Sequence, residues 1–408
     1  MLLPNLFRTE YGKIVAVLVR SFGIARVGIA EDIASDTFLI AAETWGTKGL
    51  PANPTAWLYT TAKNRACDLL RREGVFVNKV QPELQRAPTT CGIDEPDFSP
   101  AGFKDSQLRM IFALCHPELN TETQVALCLR ILCGFGVGEI AAAFLTSKDT
   151  INKRLSRGKN RLRKVMTNLE LPADSELPTR LDGVLTTIYL LFNEGYYSTG
   201  TATNFRRDLC ADAIRLTLML TRNDLTDQPR VSALLALMCF HTSRFDARLT
   251  DNGDLIDYDD QDRSLWDERL VRQGSRYFER ATAGGAVGRY QLEAAIAFMH
   301  TSPNPGPDKW PNILALYNRL LMKAYSPVAA LNRTYALSRV HGAQAALNEA
   351  LKINLRGHLG YQLLLGELYV QLEDEKLAQY HFNRALTLTR NPAVRRRITA
   401  KLAGCNQA

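Results

Sequence analysis

The stretch GVGEIAAAFLTSKDTINKRLSRGKNRLRK, residues 136–164, places the tightest limit on how this chain folds. It reads as a helix, a tight turn and a second, strongly basic helix. In the first, Ile140, Ala141 and Phe144 recur at helical spacing, and the small residues Ala141 to Ala143 permit close helix–helix approach. Ser147 is placed to cap the second helix, with Asp149 in its first turn offsetting the positive end of the dipole. Ile151, Leu155, Gly158 and Leu162 then share one face. The other faces carry Asn152, Lys153, Arg154, Arg157, Lys159, Asn160, Arg161, Arg163 and Lys164, and no acidic residue interrupts residues 150–168. A helix-turn-helix presents such a helix to a major groove, early residues at base edges and basic ones on phosphates. A solvated surface helix would account for the charge alone. The short turn, the small residues before it and the one-signed charge favour DNA.

At 408 residues the chain exceeds one ordinary core, so two or three domains are expected. Its net charge of +8 is modest for that length, and much of the surplus sits in the basic helix. Eight cysteines are scattered without a CxxC pair, and five of them (Cys67, Cys128, Cys133, Cys210 and Cys239) fall inside helical apolar patterns, where a free thiol behaves as a small hydrophobe. Neither a signal peptide nor an apolar run long enough to span a bilayer is present, so no membrane partner is expected and a reduced cytoplasm is the expected location.

Residues 1–73 read as wholly helical. Leu6 to Phe22 is amphipathic through Ile14, Val15, Leu18 and Val19. In AEDIASDTFLIAAETW, residues 30–45, the expected inward stripe is Ile33, Thr37, Ile40 or Ala41, and Thr44 or Trp45. Glu31, Asp32 and Asp36 are expected outside. After a Gly- and Pro-rich loop, NPTAWLYTTAKNRACDLLRRE (residues 53–73) starts a helix with Asn53 as cap and Pro54 in the first position. Leu58, Ala62, Ala66, Leu69 and Leu70 form its buried face, while Trp57, Thr60, Asn64, Asp68 and Arg71 recur on another. An exposed aromatic among basic and amide side chains suits stacking on unpaired bases, although Trp57 and Tyr59 also suit a core.

Residues 74–104, with four prolines and the acidic Asp94, Glu95 and Asp97, read as a linker long enough for two modules to touch sites far apart on one partner, and one that alone would leave them independent. Asp105 to Cys115 and Glu122 to Leu132 are expected to be helices beneath the basic one. From Pro172 onward the chain is helical again, without a basic stripe. Its distinct stretches are FNEGYYSTG and the acidic DNGDLIDYDDQDRSLW. Near the end, Leu365, Gly366, Tyr369, Ala378, Phe382 and Ala385 have the spacing of a tetratricopeptide repeat, and Asn332, Tyr335, Ala343, Leu347 and Ala350 fit it loosely. A degenerate helical array is expected, offering a concave face to a partner.

Taken in order, these motifs resemble the extracytoplasmic-function sigma factors of bacterial RNA polymerase, in the subgroup with a C-terminal tetratricopeptide-like extension. AEDIASDTFLIAAETW is similar to region 2.2, NPTAWLYTTAKNRACDLLRRE to regions 2.3–2.4, and residues 111–164 to region 4. LFNEGYYSTG, LLALMCFHTSRFDARL, DDQDRSLW and SPVAALNR resemble motifs of the extension. The implied fold is all-α: sigma region 2 at 1–73, a linker at 74–104, sigma region 4 with its helix-turn-helix at 105–171, and an α-helical extension at 172–408.

The resemblance implies that Asp32, Asp36 and Phe38 grip the β and β′ subunits of core RNA polymerase. It implies that Asn53, Trp57, Tyr59, Lys63, Asn64, Arg65 and Arg71 lie beside the melted −10 element, with residues 47–53 holding a flipped-out base. Thr150, Asn152, Lys153, Arg154, Arg157 and Lys159 would read or clamp the −35 duplex, and the linker acids would thread the polymerase cleft. The extension would contact the sigma modules or another regulator. Two departures from the family pattern are notable. Gly136 stands where Ser or Thr usually caps the first helix of the pair, and Gly158 replaces a frequent alanine, either loosening the recognition helix or letting it approach DNA closely.

Two other readings compete. A one-component transcription regulator with a ligand-sensing C-terminal half would explain the helix-turn-helix but not the residue 57–72 helix or the linker. An enzyme in the C-terminal half finds little support. His241, His300, His341, His358 and His381 form no HExxH motif, and the adjacent Cys115 and His116 find no completing zinc ligands in Cys128 and Cys133. Asn193, Glu194 and Tyr196 suit a polar pocket or a helix-end packing motif equally. No metal or cofactor is expected, and no catalytic residue.

Overall fold

The computed structural model describes residues 2–79, 96–144, 146–166, 170–196, 207–248, 250, 256, 258–283, 285, 287–302, 306–389 and 391–405. Every regular element among them is helical, as the sequence implies. The chain forms two compact units, residues 1–191 and 192–408, so the division falls twenty residues beyond the expected 171/172 boundary.

In the first unit, α1 (Leu2–Phe22) lies at the centre. Tyr11 and Ile14 to Val19 are buried on every side of the helix, because α2 (Val27–Lys48), α4 (Pro100–Leu114) and a π turn at Cys128–Leu132 all pack against it. Gly12 permits the closest of these approaches: a Cβ there would stand 2.1 Å from the carbonyl oxygen of Leu132. In α2 the inward stripe is Ile33, Thr37, Ala41 and Trp45, with Ile40 and Thr44 partly covered. α3 (Pro54–Lys79) starts as expected, Asn53 Oδ1 accepting from Ala56 N at 3.0 Å.

Ser99 Oγ caps α4 by accepting from Gly102 N at 3.0 Å, with Pro100 in the first turn. Asn120 Oδ1 caps α5 (Thr121–Leu127) in the same way, 2.9 Å from Thr123 N, and the π turn continues it. α6 (Val137–Ala143) and the basic α7 (Lys148–Val165) follow. Both ends of the expected linker are thus helical, since α3 runs on to Lys79 and α4 begins at Pro100. Residues 80–95, including Asp94 and Glu95, lie outside the described residues. The expectation of independent modules is corrected: the helices before and after this segment share one core, built around α1. α8 (Leu177–Tyr196) begins in this unit, where Thr187 Oγ1 donates to Gln124 Oε1 at 2.9 Å.

The second unit is built around α10 (Pro229–Thr242), in which residues 231–240 are all buried between α9 (Arg207–Leu220), α11 (Glu268–Thr282) and α12 (Arg289–Thr301). α13 (Lys309–Lys323) and α14 (Pro327–Ala350) extend the array, α14 bending at Gly342, whose φ is 81°. α15 (Leu359–Gln371), α16 (Glu375–Leu388) and α17 (Pro392–Cys405) close it. Ala378, Phe382 and Ala385, three of the residues with repeat spacing, are buried together, with Tyr369 packed against them. Tyr196 stacks on Phe192 with ring centres 5.5 Å apart and is covered by His241 and by the Arg248 guanidinium, 4.1 Å away. The FNEGYY motif therefore packs a helix end as far as it is described. Residues 197–206, 251–255 and 257 lie outside the described residues.

Candidate nucleic-acid interface

Residues 136–165 fold as a helix, a turn and a basic helix. Gly136 caps poorly by itself, and Glu139 compensates by accepting from the Gly136 N–H at 2.7 Å. Ser147 Oγ accepts from Thr150 N at 3.1 Å, as its position implies. Ile151, Leu155, Gly158 and Leu162 are the buried face of α7. Gly158 has a further role that spacing did not indicate. It is the contact point with α5, where a Cβ would come within 2.6 Å of Thr123 Cγ2 and 3.0 Å of Leu127 Cδ1. Thr150, Lys153, Arg154, Arg157, Gly158 and Arg161 line a 470 Å³ groove together with Glu118, Leu119, Asn120 and Thr123.

The six candidate −35 side chains are not equally free. Asn152, Lys153 and Arg157 are exposed, with no hydrogen-bond or ion-pair partner among the described residues. Thr150 shares a hydrogen bond with Ser147, Oγ1 to Oγ at 2.9 Å. Arg154 pairs with Glu122 and lies over the Phe144 ring, 5.4 Å from its centre. Lys159 pairs with Glu31 of α2.

That last contact corrects an expectation. Glu31 is not on the outside of α2 but buried at 5% exposure, where Lys159 Nζ and Arg130 Nε (3.3 Å) both donate to its carboxylate. Arg163 Nε adds a bond to the Ala25 carbonyl at 2.9 Å. The basic helix is therefore clasped to the N-terminal helices by its own cations.

On α2, Asp32 is exposed and Asp36 partly so, but Phe38 is not on that surface. It is buried at 5% exposure, edge-on to Phe7 with ring centres 4.9 Å apart. The aliphatic side chain that shares the acidic face is Leu39, 59% exposed, one helical turn beyond Asp36. Its i, i+4, i+7 relation to Asp32 and Asp36 was the signal in the sequence.

On α3, Asn64 and Arg71 are exposed, Arg71 pairing with Asp68 at 3.0 Å, and Asn53 is exposed beside its cap. Trp57 is half-covered, edge-on to Trp45 with ring centres 5.5 Å apart. Tyr59 donates its hydroxyl to Glu10 and packs on Phe103 (4.5 Å) and Phe98 (6.0 Å). Burial, and then the Glu10 carboxylate, push its phenol far up, so it remains a neutral donor. Arg65 pairs with Asp36, joining a candidate DNA residue to a candidate polymerase residue. Lys63 is partly covered and lies near Asp97, whose carboxyl is held low chiefly by hydrogen bonds from Ser99.

No group of three or more His, Cys, Asp or Glu able to hold a metal is found among the described residues. No described helix is long and apolar enough to cross a membrane.

Residues 6–75 match sigma-70 region 2. Residues 180–282 match a family of unknown function, DUF6596. An uncharacterized protein of Rhizobium meliloti (strain 1021) is 33% identical over 381 residues, covering 92% of this chain and 89% of the relative. No solved structure matches the chain. A sigma-70 region 2 implies a part in transcription initiation, through core RNA polymerase and promoter DNA. The protein belongs to the same family as the rhizobial chain, and the sigma-70 region 2 in its N-terminal segment supports a sigma-70 family sigma factor.

Proposed function

We propose that this sigma-70 family protein is of the extracytoplasmic-function type, with α6 and α7 serving as region 4 on the −35 element and the C-terminal unit regulating its activity. The observation that carries the reading is the pairing of a region 2 at residues 6–75 with a capped, strongly basic helix that begins 73 residues later, at Lys148. Two DNA-directed modules in that order are what a promoter-recognition factor needs. Asp32, Asp36 and Leu39 form the polymerase-facing patch in this reading, and Asn64, Arg71 and Trp57 the −10 patch. Asn152, Lys153 and Arg157 are the first −35 contacts, because no side-chain partner among the described residues holds them elsewhere.

The clasp at Glu31 supports a regulated factor. With Lys159 and Arg154 already bound to carboxylates, α7 meets DNA fully only after those pairs exchange for phosphates. The experiment is assembly of the full-length protein with core RNA polymerase, read by competition against a labelled sigma factor. Displacement with sub-micromolar affinity supports the reading. A protein that binds duplex DNA but does not displace the competitor is a one-component regulator instead.

A further inference from the structure

The C-terminal unit was expected to carry no basic stripe, yet α11 has one. Arg269, Arg272, Arg276 and Arg280 recur at i, i+3, i+7 and i+11, and all four are exposed. The opposite side of the helix is fixed inward by the buried Gly274 and Ala281, with Gly274 directly under the Phe240 ring. Together with Gln273 and Tyr277 the arginines line a groove of 480 Å³. Arg272 pairs with Glu268 at 3.0 Å, and Arg280 donates to both carboxylate oxygens of Asp227, at 3.0 and 2.7 Å. Glu279 lies on the flank. The guanidinium groups of Arg269 and Arg276 have no hydrogen-bond or ion-pair partner among the described residues.

We infer that this face of α11 binds the phosphate backbone of duplex DNA, giving the protein a DNA contact outside its sigma-like segments. The inference rests on the chain being a promoter-binding factor. A protein-binding face centres on apolar or aromatic anchors with charge depleted around them, whereas this groove is lined by four guanidinium groups, one amide and one tyrosine. Guanidinium forks match phosphate oxygens in pairs and keep their charge at any working pH. At 1.5 Å of rise per residue the stripe spans about 16 Å, over which a duplex presents roughly ten phosphates. The helix lies inside the segment of unknown function, residues 180–282, and gives that segment a chemical task.

The test measures binding of the full-length protein to a short labelled duplex across a salt series. Comparison is with a variant carrying Arg269→Ala and Arg276→Ala, and with a second carrying lysine at both positions. Each phosphate contact adds about 0.9 to the slope of log affinity against log salt, so the alanine variant loses about 1.8 and the lysine variant little. Both changes are on exposed side chains, and an unchanged urea midpoint verifies folding. An unchanged slope in the alanine variant overturns the inference, as does a wild-type protein that binds no duplex. Weaker core-polymerase affinity with an unchanged slope also overturns it, in favour of an acidic protein partner. A lowered slope in a protein that never joins core polymerase leaves the inference standing and removes the sigma reading.

Discussion

Lys159, on the basic face of α7, donates to the carboxylate of Glu31, 128 residues earlier in the chain. Arg130 donates to the same carboxylate at 3.3 Å. A buried acid with two cations holds the basic helix against α2, much as a phosphate would hold it against a duplex. The pairs Arg154–Glu122 and Arg161–Glu118 repeat the device at the rim. Rim pairs of this kind contribute little to stability and exchange easily. The Glu31 carboxylate is buried, and its cluster is the charged contact that ties α7 to α2.

Glu31→Gln is accordingly expected to act in two directions. It removes a buried charge-assisted pair, lowering stability by about 2 kcal/mol, which urea denaturation measures. It also releases Lys159, adding one cation for phosphate. The salt slope for duplex binding then steepens by about 0.9. Loss of stability without any gain in duplex affinity would show that the clasp is purely structural.

Gly158→Ala is expected to destabilise the protein, against the usual rule. In an exposed helix the change gains about 1 kcal/mol. Here the new methyl meets Thr123 and Leu127 across the α5–α7 contact, and overpacking of this sort costs about 1–3 kcal/mol. A net loss of about 1 kcal/mol in the denaturation midpoint is the expected sum. A stabilised variant would mean that α5 and α7 part more readily than they pack here.

The local features behind these effects were readable from sequence. The buried face of α7, its Ser147 cap, the Asn53–Pro54 start of α3 and the Ile33–Thr37 half of the α2 stripe follow from spacing and end chemistry, whereas spacing left Ala41 or Ile40 and Trp45 or Thr44 open. What was not readable depends on partners distant in the chain. Glu31 looks like any solvated acid until Arg130 and Lys159 arrive, 99 and 128 residues later. Phe38 looks exposed beside Asp36 until Phe7 is placed against it. The arginine stripe of α11 was visible as a period, but it is spread over twelve residues with apolar ones between, and no run of charge announces it.

Acid sensitivity should trace to two histidines of the C-terminal unit. Burial pushes His241 and His300 down to about 3, helped by Arg244, with Arg248 acting on His241 and Lys309 on His300. Their folded values lie below the unfolded value near 6.5, so the unfolded chain binds protons that the folded one refuses. Stability is therefore full well above pH 6.5 and declines as pH falls toward 3, by about 2.6 kcal/mol per pH unit near pH 5. His116 and His381, also shifted down by burial, add in the same direction. Urea midpoints between pH 7.5 and 4.5 measure this, and His241→Phe should flatten the slope by up to half. A pH-independent midpoint would contradict the enclosure of both rings.

Leu39→Ala combined with Asp32→Ala should weaken assembly with core polymerase roughly tenfold, the effect of losing one apolar anchor and a rim charge. Both side chains are exposed, so the urea midpoint and duplex affinity should not move. Equal assembly by wild type and variant would place the polymerase contact elsewhere on the protein.

The most direct measurement of the central claim is run-off transcription by core RNA polymerase with the purified full-length protein, on a library of genomic promoter fragments. The expected result is a small set of discrete start sites. Trp57→Ala with Arg65→Ala should abolish initiation while leaving polymerase assembly within a few-fold of wild type. Glu31→Gln should raise initiation. Absence of any start site from wild type and Glu31→Gln alike, with duplex binding intact, would contradict the account and leave a DNA-binding regulator in its place.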